Sequence, residues 1–201
     1  MAGTRPTFIV GIGGSAGGLK AYLALLHSLP SNTGMAFVVI AHMSPTSPSL
    51  LVHLLSDKTS MPVIQASAGM PIQANHIYVI APNTDLLVEG HAFKVVSPRT
   101  MSHGHHKQID HFLISLAEAM GTRAIGIILS GGDGDGTEGC KSIKAKGGMT
   151  FAQDLSAEVD SMPLSALAAG CVDYVLPPAD ISEHLAEIGA RLPRGNVQLD
   201  A

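Results

Sequence analysis

Three strand-like apolar runs in this chain are each followed by a side chain that hydrolytic chemistry uses. Thr7–Ile12 leads into Gly13-Gly14-Ser15-Ala16-Gly17-Gly18, which presents one hydroxyl at a glycine-dense turn. Ala36–Ile40 leads into Ala41-His42-Met43-Ser44-Pro45, and Ala124–Leu129 into Ser130-Gly131-Gly132-Asp133-Gly134-Asp135-Gly136. A hydroxyl attacks, an imidazole takes its proton, and a carboxylate fixes the imidazole tautomer and stabilises its charged form. Ligands of open α/β sheets bind beyond the carboxyl ends of the strands. If the three runs share one parallel sheet, Ser15, His42 and one of Asp133 or Asp135 arrive at the same edge. The order Ser…His…Asp differs from the familiar ones, but a triad is defined by geometry and roles.

The glycine turn admits other readings. Gly11-x-Gly13-x-x-Ala16 fits a phosphate-binding turn, and Gly13-x-Ser15-x-Gly17 fits a nucleophile elbow. A dinucleotide fold needs an acidic residue near the end of its second strand, and Val38-Val39-Ile40-Ala41-His42 has none. No Gly-Lys-Ser/Thr follows the first turn, which excludes a P-loop. The common α/β-hydrolase pattern places its elbow well inside the chain, whereas here it lies on the first strand. Taken singly, a serine in a glycine turn, a histidine beside a strand and aspartates in a loop all have ordinary structural explanations. Their convergence on one edge is what favours catalysis. His103-Gly104-His105-His106 suggests metal by composition, but no carboxylate or cysteine stands beside it at a ligand spacing, so no metal site is expected.

The elements that must position these groups follow from periodicity. Strands at Thr7–Ile12, Ala36–Ile40, Val63–Ala66, His76–Ala81, Ala124–Leu129, Met149–Ala152 and Val172–Leu176 alternate with helical stripes. The stripes are Leu19/Tyr22/Leu23/Leu26, then Leu51/Leu54/Leu55 behind a Ser47-Pro48 cap, Ile109–Met120, Cys140–Lys146 and Ile181–Leu192. Leu86–Val88 and Ala92–Val96, split by Glu89-Gly90, read as a hairpin, and Ser97–Lys107 as a polar loop. Such alternation implies an α/β fold: a single three-layer, doubly wound domain, mostly parallel, with an antiparallel hairpin at the edge. The 201 residues suit one domain with its core over about 7–192 and a frayed tail at 193–201. At 46% hydrophobic and 14% charged the chain is globular; a net charge of −4 without a basic run argues against nucleic acid. Cys140 and Cys171 match no metal or disulfide pattern, and no apolar run spans a membrane, so a cytoplasmic location without membrane insertion is expected.

The motifs Val10–Gly18, Ala41-His42-Met43, Leu129–Gly136 and Ser161-Met162-Pro163 together resemble the catalytic domain of the CheB family, the chemoreceptor protein-glutamate methylesterases. Gln108-Ile109-Asp110-His111-Phe112 and Val172–Pro178 fit the same pattern. The resemblance covers about Phe8 to Leu192, and its details are similar to the esterase domains of CheB–CheR-type fusions. It implies Ser15 as nucleophile, His42 as general base and acid, and Asp135, not Asp133, as the orienting carboxylate. The implied reaction releases methanol from glutamate γ-methyl esters, with deamidation of glutamine in some relatives, and needs no cofactor or metal. The implied partner is a methylated protein, the cytoplasmic part of a chemoreceptor, with fused or separate signalling domains. Backbone N–H groups of Ala16 and of Gly131, Gly132, Asp133 and Gly134 are the oxyanion candidates. Ala16, Ala41 and Gly132 stand where the family often has threonine, glutamine and methionine, and Asp133 adds a charge beside the site. The alternative is a non-catalytic signalling module that retains the esterase fold.

Overall fold

The computed structural model describes residues 4–42, 50–100 and 107–191. Seven strands form one sheet: β1 (Ile9–Gly14), β2 (Ala36–Ala41), β3 (Val63–Gln65), β4 (His76–Val79), β7 (Ala124–Ile128), β8 (Met149–Gln153) and β9 (Tyr174–Leu176). Their order is β3-β4-β2-β1-β7-β8-β9, and every neighbouring pair is parallel. The remaining two, β5 (Asp85–Glu89) and β6 (Ala92–Val96), pair antiparallel as the expected hairpin. They form a separate two-stranded sheet instead of extending the edge of the large one. A helix explains the separation. β5 lies against α3 (Gln108–Met120), and the Val88 N–H donates to Ser115 Oγ of that helix at 3.0 Å.

Helices cover both faces of the sheet, as a parallel sheet requires. On one face α1 (Gly18–Ser28), α2 (Leu51–Ser56) and α6 (Pro178–Arg191) bury Leu25, Leu26, Leu55, Ile181 and Leu185 with Phe37 and Phe151 of the sheet. On the other, α3, α4 (Thr137–Ala145) and α5 (Ser161–Ala168) enclose Ile109, Phe112, Leu113, Cys140, Ile143 and Met162. Helix α5 is an element that periodicity misses, because Pro163 interrupts a short apolar stretch. Proline is tolerated there because it lies in the first turn, where N–H groups have no intrahelical partner. The proposed Ser47-Pro48 cap of α2 and the segment 101–106, which holds His103, His105 and His106, lie outside the described residues, as does 192–201. No helix among the described residues is long and apolar enough to cross a membrane.

The first strand runs two residues past the expected end, and its glycines explain its place at the sheet's centre. A Cβ on Gly11 would lie 2.6 Å from Leu113 Cδ2, and one on Gly13 only 2.5 Å from Ile109 Cγ2. Helix α3 therefore rests directly on the backbone of β1, closer than any side chain would permit. These glycines serve helix packing, which removes the need for a phosphate to explain them. Gly13→Ala should cost about 1–3 kcal/mol of stability, typical of an added methyl in a filled core. Urea unfolding with an unchanged slope and a lower midpoint is the expected outcome.

Candidate active site

The chain leaves the sheet toward opposite faces after β1 and β7: α1 packs on one side and α4 on the other. That divergence opens a crevice at the carboxyl ends of adjacent strands, the usual place for a site in this architecture. Gly14 lies opposite Ala41 in the β1–β2 register, so Ser15 and His42 are the next residues on neighbouring strands. The His42 N–H donates to Gly14 O at 3.3 Å, and the Ser15 N–H donates across to Ser130 O at 2.9 Å. The serine thus stands between the histidine segment and the glycine-rich loop after β7.

The turn bearing Ser15 is fixed from several sides. Gly17 adopts φ 73°, a left-handed conformation at the start of α1, and a Cβ there would strike Ser130 Oγ at 2.6 Å. The Tyr22 ring fills the space under Gly14, and its hydroxyl donates to Ile40 O at 3.3 Å. Ser130, fully buried, accepts the Val159 N–H at 2.9 Å, and its own hydroxyl lies 2.8 Å from Ala16 O. Its N–H donates to Gln153 Oε1 at 3.0 Å. Ser130 and Gln153 are supporting residues that the sequence does not advertise, since a buried serine after a strand looks like any turn serine.

His42 and Asp135 are joined directly. His42 Nε2 donates to Asp135 Oδ2 at 2.8 Å, with the histidine side chain 17% exposed and the aspartate side chain fully buried. Asp135 Oδ2 also accepts the Ile109 N–H at 3.0 Å, and Oδ1 accepts those of Asp110 and Gly136, each at 2.9 Å. Ile109 and Asp110 lie in the first turn of α3, so the carboxylate caps that helix at its positive end. Burial pushes the Asp135 pKa upward, but the hydrogen bonds from His42, Asp110 and Ile109 outweigh it and hold the group below the usual carboxylate value. Asp135 is therefore ionised and has no proton to give. Nε2 must carry the hydrogen, and Nδ1 of the neutral ring is left as the base.

The first turn of α3 returns the contact. Asp110, also buried, accepts the Gly139 N–H of α4 through Oδ1 at 2.9 Å, with Lys107 Nζ 3.9 Å from Oδ2. Each aspartate caps the helix adjoining the other. Burial, supplemented by the nearby Asp135 charge, pushes the Asp110 pKa up to about 6 despite the Gly139 bond.

The structure thus brings Ser15, His42 and Asp135 to one edge and places Asp133 there too, its Oδ2 3.7 Å from His42 Nδ1. Among the described residues Ser15 Oγ makes no hydrogen bond, so the imidazole–carboxylate half of a relay is made and the hydroxyl–imidazole half is open. Of the oxyanion candidates, Gly131 is corrected: its N–H is occupied by Val159 O at 2.9 Å. The N–H groups of Ala16, Gly132, Asp133 and Gly134 have no acceptor among the described residues, and Ala16 adjoins the N-terminus of α1. No group of three or more His, Cys, Asp or Glu side chains among the described residues is placed to hold a metal ion.

Known proteins are similar to this chain along most of its length. A family model described as CheB methylesterase matches residues 10–185. A putative protein-glutamate methylesterase/protein-glutamine glutaminase of Leptospira interrogans is 33% identical over 188 residues, covering 93% of this chain and 95% of the relative. Protein-glutamate methylesterase/protein-glutamine glutaminase 1 of Geobacter sulfurreducens is 32% identical over 187 residues, 90% of this chain but 51% of that longer protein. The crystal structure of the Thermotoga maritima CheB methylesterase catalytic domain superposes with a TM-score of 0.82 at 28% identity, over 94% of this chain and all of that one.

The paired aspartates set opposite pH dependences. Asp135, with its pKa lowered, stabilises the fold above its unfolded value, and that contribution is lost as pH falls through the folded one. Asp110, raised to about 6, makes the native state bind the extra proton, so stability falls as pH rises from the unfolded carboxylate value of about 4 toward 6. Asp110→Asn keeps an oxygen for Gly139 and removes the charge. Its stability relative to wild type should rise by the order of 2 kcal/mol between pH 4 and pH 8. Urea curves at the two pH values measure this, and a pH-independent difference would refute it.

Proposed function

Because the chain belongs to the CheB methylesterase family, we propose that it hydrolyses γ-methyl esters of glutamate side chains, with Ser15 as nucleophile, His42 as general base and acid, and Asp135 as orienting carboxylate. The observation that carries the reading is the buried His42–Asp135 hydrogen bond one register step from Ser15. That bond leaves Nδ1 as the free, basic ring nitrogen, and in this reading it serves the serine. Ser15 Oγ attacks the ester carbonyl carbon while Nδ1 takes the hydroxyl proton. The carbonyl electrons move onto oxygen, toward the N–H of Ala16 and of the Gly132–Gly134 loop. Collapse breaks the bond to the methoxy oxygen, Nδ1 returns its proton to that oxygen, and methanol leaves. Water then attacks the acyl-enzyme with Nδ1 again as base, restoring Ser15 and releasing glutamate. Attack on a glutamine amide follows the same steps with ammonia as leaving group, which accords with the double name of the relatives. The natural substrate in this reading is the cytoplasmic, methylated part of a chemoreceptor, and the protein acts in the cytoplasm as one methylesterase domain.

The decisive assay is methanol release from a methyl-esterified chemoreceptor fragment. Ser15→Ala should lower turnover by at least about a thousandfold, and Asp135→Asn by a large factor through loss of the tautomer-fixing acceptor. A folded wild type that releases no methanol would point instead to a binding module that keeps the fold.

A further inference from the structure

Asp133 has no place in the relay, yet it faces the ring nitrogen that exchanges protons with substrate. Its Oδ2 is 3.7 Å from His42 Nδ1, while Nε2 on the other side of the ring is bound to Asp135. The side chain is held in that direction, because Oδ1 accepts the Asp135 N–H at 3.0 Å. It is also 52% exposed, so its charge lies at the surface of the site. Asp135, by contrast, is buried and its charge is taken up by four hydrogen bonds and a helix terminus. When His42 is neutral, Asp133 is left as a negative charge at the mouth of the reaction centre. Among the described residues, a Cβ at Gly132 beside it would meet only Val159, at 4.0 Å.

We propose that Asp133 is a specificity-determining residue that admits the uncharged ester and expels the carboxylate product. The inference rests on the methylesterase reading. Hydrolysis of the acyl-enzyme adds water across the Ser15 ester bond and yields a glutamic acid side chain, which releases its proton to solvent at neutral pH. A neutral group has then become an anion within hydrogen-bond reach of His42 Nδ1, which puts it no farther than about 7 Å from Asp133. Two like charges at that distance, partly screened by water, change affinity by about tenfold. The repulsion falls on the product and spares the ester, so it opposes product inhibition and rebinding of already demethylated sites. The same charge acts on the transient oxyanion, so turnover alone does not report it. The ratio of affinities does.

The test uses one receptor fragment in two forms, γ-methyl ester and free glutamate, binding to protein with Ser15→Ala, which cannot acylate. Fluorescence anisotropy should give about tenfold tighter binding of the ester form. Adding Asp133→Asn should bring the ratio close to one. In the protein that retains Asp133, raising salt to about 0.5 M should narrow the ratio as screening shortens the reach of the charge. A ratio near one with Asp133 present, a ratio unchanged in Asp133→Asn, or one insensitive to salt would each overturn the proposal. The salt series decides the matter even if the double variant fails to fold. Methanol release by the wild type together with an unchanged ratio removes only this role of Asp133. No release from the wild type removes the esterase reading and this proposal with it.

Discussion

The buried carboxylate of Asp135 is the interaction on which the rest of the site depends. It closes the loop after β7, caps the first turn of α3 and holds the His42 ring, all through two oxygen atoms. A charge taken out of water is tolerated only when its hydrogen-bonding capacity is filled, and here backbone N–H groups and one imidazole fill it. The same bonds that make the burial acceptable fix the ring's tautomer. Helix capping and base orientation are therefore one piece of chemistry. A fold that lost the cap would also lose the direction of Nδ1.

That arrangement requires α3 to start very near the sheet's centre, and the glycines of β1 allow it. Side chains at Gly11 and Gly13 would collide with Leu113, Phe112 and Ile109. Gly139 in α4 plays the corresponding part on the other side, where a Cβ would lie 2.5 Å from Leu113 Cβ. With α3 and α4 in close contact, Asp110 and Asp135 can each reach the other's helix. Two carboxylates so close raise one another's cost of ionisation, and their differing partners decide which yields. Asp135 has the histidine and more donors and stays charged; Asp110 has fewer and is pushed up to about 6.

Much of this was legible from the order of residue types. Alternating strand and helix patterns implied the parallel sheet, and the positions of Ser15, His42 and the Ser130–Gly136 loop after three strands implied a common edge. Other features had no local signal. The fully buried face of α1 is Ala21, Tyr22, Leu25 and Leu26, where the Ser182 hydroxyl of α6 donates to Leu25 O; Leu23 is only partly buried against the core and Leu19 is exposed. Helix α5 hides behind its proline, and the hairpin's separation from the large sheet follows from the packing of α3 against β5. The reason glycine occurs at positions 11 and 13 was ambiguous for the same cause: a turn that could cradle phosphate and a strand that must admit a helix read alike.

The kinds of group present and their attachment to strand ends can be read from the chain alone, since strand periodicity and turn residues are local properties. So can the family, through motifs spread along nearly the whole chain. The local pattern left two aspartates open and the resemblance pointed to Asp135; the physical reason for that choice appears only in three dimensions. Asp133 and Asp135 are two residues apart on one loop and alike in chemistry. The cap on α3 buries the second and leaves the first at the surface, because backbone donors some twenty-five positions away in the chain reach only one of them.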